Sequence, residues 1–269
     1  MENIVTFEKF GFSKRMKSML KVDFKRMFKS RVFYILIACA LVMPILMTVM
    51  MAMMDGSVSV DPQTGVETVM KGPENTWQNI GTLPGGEAMG GSEIFMMCNI
   101  NMVFMIVAVF VCLFISDDFR SGYAKNLFTV RAKKGDYVIS KTLAGFVCGA
   151  FMLVAYFIGS MLGGAMAGLS FELHGLTVGN IVMCMLAKIL LMLVFVPIFV
   201  LISVAAKQKA WLSICGSLGG GMLLFMMVSM ITPLGSTFIN VVLCLAGGAM
   251  FAFGLGAASN AVLKKTSLV

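Results

Sequence analysis

The sequence has little charge for its length. Only 13% of its 269 residues are charged, and 59% are hydrophobic. Soluble domains carry about 25% charged residues. A chain this apolar has too little polar surface to face water, so its solvent is predicted to be a lipid bilayer.

Residue patterns for metal binding, disulfides and nucleic-acid binding are also missing. The seven cysteines all fall in apolar runs without a CxxC pair, which is typical of small buried side chains. One histidine, His174, cannot build a metal cluster alone, so no metal site is predicted. The net charge of +8 comes from basic residues beside apolar runs, without interleaved stacking aromatics. It therefore predicts membrane topology and no nucleic-acid partner.

The sequence offers no energy source and no catalytic group at membrane depth. It contains neither a GxxxxGK[ST] phosphate loop nor HExxH, and its thirteen acidic residues lie in loops or at the ends of apolar runs. No enzyme is predicted. If the chain moves a compound uphill, a partner must supply the energy.

The apolar runs predict an all-α membrane protein with six transmembrane helices. They cover residues 32–54, 94–116, 142–169, 181–206, 211–231 and 238–263. With both termini in the cytoplasm, nineteen of the twenty-one basic residues lie on the cytoplasmic side, as the positive-inside rule requires. Residues 55–92 then form a long outer loop, and residues 117–141 form a cytoplasmic loop.

The third span holds three glycine pairs at GxxxG spacing, which predict close helix packing: Gly145/Gly149, Gly159/Gly163 and Gly164/Gly168.

Residues 1–31 form a basic cytoplasmic segment ahead of the six-span domain 32–269. Its apolar residues recur at helical spacing and predict an amphipathic helix in the membrane interface: Met16, Leu20, Phe24, Met27 and Phe28. Asp23 interrupts the apolar face and is expected to pair with Arg26. The alternative is a solvated basic tail.

Three polar residues within predicted spans are candidates for a substrate path: Asn99, Asn101 and Lys188. The two asparagines fit interhelical hydrogen bonding equally well. Two interpretations stay open for Lys188. Its ammonium snorkels to the outer surface, which we favour, or it faces a cavity and binds an anionic or peptide-carboxylate substrate.

The cytoplasmic loop 117–141 combines positive charge with apolar side chains. The positive-inside rule accounts for the basic residues of this loop, but it does not account for Leu127 and Phe128. These two side chains are expected to project into a groove of another protein.

The same loop resembles the loop between the second and third spans of type-2 ATP-binding-cassette (ABC) exporter permeases. The similarity is to the branch that includes bacitracin and lantibiotic self-protection permeases and exporters of cytolytic peptides. The residues that match the family pattern are Asp118, Gly122, Lys125, Asn126, Leu127, Arg131 and Lys141. Tyr123 stands where threonine is usual.

This resemblance implies a permease subunit that exports peptides or other amphipathic compounds, antimicrobial or cytolytic peptides being favoured. A coupling helix within residues 119–134 would dock on a separate ATP-binding subunit, which binds ATP and Mg²⁺. The implied coupling residues are Asp118, Arg120, Gly122, Tyr123, Lys125, Asn126, Leu127, Phe128 and Arg131.

The resemblance also implies the assembly and its location. Two permease chains, a homodimer favoured over a heterodimer, would work with two ATPase chains in the lipid of a bacterial cytoplasmic membrane. The N-terminal helix would be the family's connecting helix. The alternative function is that of a non-transporting membrane sensor or scaffold.

Overall fold

A computed structural model describes residues 11–60, 67–69, 71–81, 83, 99–130 and 133–265. Within these ranges the chain forms eight α-helices, one two-stranded sheet and one 3-10 helix. The helices are α1 (Phe12–Lys29), α2 (Arg31–Met53), α3 (Met102–Arg120), α4 (Tyr123–Val130), α5 (Lys134–Met166), α6 (Val178–Ala206), α7 (Ala210–Ile231) and α8 (Phe238–Lys265).

In the part of the chain that the structure describes, five helices are long and apolar enough to cross a membrane: α2, α3, α5, α6 and α8. The predicted fifth span corresponds to α7, whose apolar stretch Ala210–Phe225 is shorter. Two helices extend beyond the predicted spans. Helix α5 begins at Lys134, eight residues before the predicted span, and α3 continues through Arg120. Residues 94–98 of the predicted second span lie outside the described residues.

Helix α1 packs one face on α5 and exposes the other. Met16, Met19 and Met27 are buried on the packed face, and Asp23 is buried among them. The exposed face carries a row of lysines: Lys14, Lys17, Lys21, Lys25 and Lys29. The face that we predicted to contact lipid is therefore partly used for packing within the protein.

Glycines allow the long helices to approach closely. A Cβ on Gly159 would collide with the Leu41 carbonyl oxygen of α2, and one on Gly163 would lie 2.9 Å from Ile45 Cα. A Cβ on Gly145 would lie 2.7 Å from a Val196 methyl group of α6. These positions confirm the close packing predicted from GxxxG spacing. Gly168 differs, because it has a φ of 70° just beyond the end of α5.

The two ends of the bundle are held by different polar contacts. At the basic end, which carries α1 and α4, the Lys134 ammonium donates a hydrogen bond of 2.8 Å to the Leu263 carbonyl of α8. At the opposite end, the Asn180 side chain donates to the Ser236 carbonyl at 3.2 Å. These contacts join the start of α5 to the end of α8 at one end, and the start of α6 to the α7–α8 connection at the other.

The predicted outer loop has short structure of its own at the opposite end. Strands β1 (Val58–Val60) and β2 (Glu67–Val69) pair antiparallel. The 3-10 helix Thr76–Asn79 packs beside α5. Its Trp77 donates an indole hydrogen bond of 3.0 Å to the Phe171 carbonyl, which ties this loop to the connection between α5 and α6.

Candidate functional site

Helix α4 is a short helix between two long ones at the basic end. Its eight residues follow α3 after a two-residue turn, Ser121–Gly122. Gly122 has a φ of 74° and nothing near its Cβ position, so the turn itself requires the glycine. The turn directs α4 away from the line of α3, and α4 lies within the predicted coupling segment 119–134.

A buried ion cluster lies where α1, α3 and α5 meet. The Lys141 ammonium of α5 contacts Asp23 Oδ1 of α1 at 2.7 Å and Asp118 Oδ2 of α3 at 2.7 Å. All three side chains are at most 1% exposed. The expected pairing of Asp23 with Arg26 is therefore wrong, because Asp23 turns toward α5 and pairs with Lys141.

Arg26 supplies the second positive charge of this cluster. Its guanidinium forms an ion pair with Asp118 and lies 4.3 Å from the centre of the Tyr123 ring, the first residue of α4. Two carboxylates therefore face one ammonium and one guanidinium, so the cluster is close to neutral. The cation–π contact extends the cluster from α1 to α4.

Two hydroxyl groups add hydrogen bonds to the carboxylates. Tyr137 donates a hydrogen bond of 2.9 Å to Asp118 Oδ2, and Ser140 donates to Asp23 Oδ2. Tyr137 is fully buried, and its ring also packs on Phe128 of α4 with centroids 5.3 Å apart. A buried ion pair is stable only when its remaining hydrogen-bonding capacity is met, and these hydroxyls contribute to meeting it.

Two groups at the edge of the cluster have shifted pKa values. Burial lowers the pKa of the Arg26 guanidinium, but the adjacent Asp118 carboxylate outweighs burial and raises it above its ordinary value. Burial, with the negative charges of Asp23 and Asp118, raises the pKa of the Tyr123 phenol. Arg26 therefore stays charged and Tyr123 stays neutral.

A further ion pair joins α1 to α5 beside the cluster. Arg15 Nε lies 2.9 Å from Asp136 Oδ2. Asp136 is in the first turn of α5, where a carboxylate is also favoured by the helix dipole. Together with the buried cluster, this pair attaches α1 to α5 at two points.

The outward surface of α4 is polar. Lys125, Asn126 and Thr129 are exposed. Leu127 and Phe128 are only partly exposed and pack against the chain's own core. The contact of these two side chains with a partner's groove stays a prediction. They attach α4 to the protein, and polar residues form its free face.

The remaining predicted coupling residues are spread over the same region. Asp118 and Tyr123 belong to the ion cluster, and Gly122 forms the turn. Arg120 is exposed, 3.6 Å from Asp117. Arg131 lies outside the described residues.

Two of the three candidate substrate-path residues lie together at the opposite end. The Lys188 ammonium of α6 donates to Asn101 Oδ1 at 2.7 Å and to Thr232 Oγ1 at 3.1 Å. Lys188 is 1% exposed, so the favoured interpretation, snorkelling, was wrong. The side-chain oxygen of Asn99 accepts from the Asn101 backbone N–H at 2.9 Å.

Sequence reasoning missed the contributions of Asp23, Tyr137 and Ser140. The signal for Asp23 was present, since an acid inside the apolar face of a helix requires a partner. The sequence could not identify that partner, because Lys141 is 118 residues away.

Comparison with protein families now adds an independent finding. A protein-family model described as "ABC-2 family transporter protein" matches residues 19–223, which is more than half of the chain. This chain belongs to the ABC-2 transporter family. The matched range contains both the ion cluster and Lys188. No curated protein and no solved structure matches the chain.

Membership of the ABC-2 family establishes the general role. The chain is a multi-pass membrane protein and a permease subunit of an ABC transporter. It is a transport component and not itself an ATPase, and the family implies an ATP-binding partner subunit.

Proposed function

We propose that this chain exports peptides or other amphipathic compounds, with antimicrobial or cytolytic peptides favoured. A separate subunit binds ATP and Mg²⁺ and supplies the energy. Two copies of the chain, in a homodimer, form the path through the bacterial cytoplasmic membrane. Support comes from the ABC-2 family and from the resemblance of residues 117–141 to peptide-exporting permeases.

The observation that carries this proposal is the attachment of α4. Its inner side is held by Tyr123 under Arg26 and by Phe128 on Tyr137. Its outer side presents Lys125, Asn126 and Thr129. An element with a fixed base and a free polar face suits contact with another protein, and we assign α4 as the coupling helix.

The ion cluster gives a physical route for coupling. A push on α4 acts on Tyr123, and the cluster connects that residue to α1, α3 and α5 at once. Because separating buried opposite charges is costly, these helices are expected to move together. ATP-driven closure of the partner subunits would thereby tilt α3 and α5 and open the path.

The proposal includes the membrane topology. The termini lie in the cytoplasm, α7 completes six spans, and α1 lies in the inner interface as the connecting helix. The basic end then faces the cytoplasm, where lysines and arginines collect.

A charge reversal on the free face of α4 tests the coupling assignment. In the Lys125→Glu variant, we expect at least roughly tenfold weaker retention of the ATP-binding subunit, about the loss for one charged hydrogen bond. The measurement is affinity purification in mild detergent, with quantitative mass spectrometry and ATP turnover. Because Lys125 is exposed, folding is expected to be unchanged.

Lys71→Glu is the matched control, because it reverses an exposed lysine at the opposite end. This variant should retain the ATP-binding subunit fully. Equal retention in both variants would contradict the assignment of α4 as the coupling helix.

A further inference from the structure

Lys188 lies deep in the bundle on a membrane-spanning helix. It follows the start of α6 at Val178 by ten residues, which places its Cα about 15 Å along the helix axis. Its side chain is fully buried between α3, α6 and the end of α7. An ionisable group at such a depth is costly to keep and is a candidate for a functional site.

The surroundings of the ammonium are oriented to receive a cation. The Asn101 carboxamide nitrogen donates to Ser229 Oγ at 2.9 Å, which fixes its oxygen toward Lys188. The Thr232 hydroxyl donates to the Val228 carbonyl at 2.7 Å, so its oxygen is free to accept from Lys188. Both groups therefore present oxygen atoms to the ammonium.

These partners are neutral. Among the described residues, no carboxylate forms an ion pair with Lys188, whereas Lys141 has two. The Cys184 thiol lies beside the site and donates to the Thr232 carbonyl at 3.6 Å. An ammonium has three donors, and the described side chains accept two. The site thus has positive charge and one donor available for an anionic group.

Helix α3 connects this site to the proposed coupling helix. Asn101 directly precedes α3, and Asp118 of the ion cluster lies near its other end. The helix has 19 residues and is about 28 Å long. A displacement of α3 at the basic end would therefore move Asn101 relative to Lys188.

We propose that Lys188, Asn101 and Thr232 form a binding site for a carboxylate of the transported amphipathic compound. In the closed arrangement, Asn101 and Thr232 occupy the ammonium. When α3 moves, the carboxylate replaces these neutral acceptors and accepts a hydrogen bond from the Lys188 ammonium. This inference rests on the proposed export function and specifies the substrate class.

Two peptides that differ in one group test the site. One is an amphipathic helical peptide with a free C-terminal carboxylate, and the other is the same peptide with a C-terminal amide. Binding is measured by fluorescence on the complete complex of permease and ATP-binding subunit in zwitterionic nanodiscs. We expect the carboxylate peptide to bind about tenfold to a hundredfold more tightly, the value of one charged hydrogen bond.

Two lysine variants show whether Lys188 causes this preference. Lys188→Met should bind both peptides equally, and Lys188→Arg should keep most of the preference because it keeps the charge. Equal binding of the two peptides to the unaltered complex, or no binding of either, would overturn the proposal. So would an unchanged preference in Lys188→Met, because the peptide carboxylate would then be recognised by another part of the complex.

Two further readouts separate this proposal from others. Phosphatidylglycerol added to the nanodiscs should not displace the carboxylate peptide, and full displacement would show that the site belongs to a lipid headgroup. Retention of the ATP-binding subunit and ATP turnover are measured in the same preparations. Equal binding of the two peptides to the unaltered complex, with intact ATP turnover, would contradict only the carboxylate site, whereas an unaltered complex without turnover would contradict the export function.

Discussion

Two lysines are buried to the same extent at opposite ends of the bundle, yet their partners differ in charge. Lys141 and Lys188 are each 1% exposed. Lys141 contacts the carboxylates of Asp23 and Asp118, while Lys188 contacts a carboxamide and a hydroxyl. Burial alone therefore does not define the role of a charged group.

The difference indicates separate roles for the two clusters. A neutralised cluster holds its helices in one arrangement, since removing either partner leaves a buried charge. A cation with neutral partners keeps its attraction for an anion. We therefore assign attachment and coupling to the Lys141 cluster, and substrate binding to the Lys188 cluster.

The largest expected effect comes from removing each lysine in turn. Lys141→Met should lower the free energy of unfolding by about 3–5 kcal/mol, because the buried Asp23 would lose its ion pair with Lys141 while Asp118 kept only the one with Arg26. Lys188→Met should cost clearly less, because the loss of two hydrogen bonds is offset by removing a buried charge. Both values are measured by chemical denaturation in detergent micelles. A larger loss in Lys188→Met would contradict the comparison.

A double variant sharpens the same comparison. Adding Asp23→Asn to Lys141→Met removes one negative charge and leaves Asp118 paired with Arg26. We expect the free energy of unfolding of the double variant to be higher than that of Lys141→Met alone. If the losses of unfolding free energy in the single variants Asp23→Asn and Lys141→Met simply add in the double variant, charge balance is not the basis of the cluster's stability.

A smaller effect is expected from a single hydroxyl group. Tyr137→Phe removes the hydrogen bond to Asp118 and should cost about 1.5–3 kcal/mol, the range for bonds to charged groups. The control is Tyr34→Phe, which removes an exposed bond to the Phe28 carbonyl and should cost about 0.5–1 kcal/mol. Equal losses, measured as above, would mean that the Asp118 carboxylate does not strengthen the bond.

The helical architecture followed from the apolar runs because membrane helices have a strong and continuous hydrophobic signal. The start of α5 could not be predicted from the apolar runs. Its charged residues Lys134, Asp136 and Lys141 are typical of a loop until their partners are known. Hydropathy measures each residue alone. A charged residue that is neutralised by a distant partner is therefore placed in a solvent-exposed loop.

The candidate sites were predictable only in part. The polar residues in apolar runs were recognisable, and the structure brings Asn101 and Lys188 together. Their pairing joins positions 87 residues apart, which one sequence does not reveal. Leu127 and Phe128 are the converse case, because one sequence does not reveal that these apolar residues of a polar loop pack on their own chain.

Site-specific photocrosslinking tests the central claim, that α4 contacts the ATP-binding subunit. A photoreactive amino acid replaces exposed Asn126 on α4 or, as a control, exposed Val178 at the opposite end. Our account predicts an adduct between the permease and the ATP-binding subunit from position 126 and none from position 178. An absent adduct at position 126 in a complex that retains both subunits would contradict it.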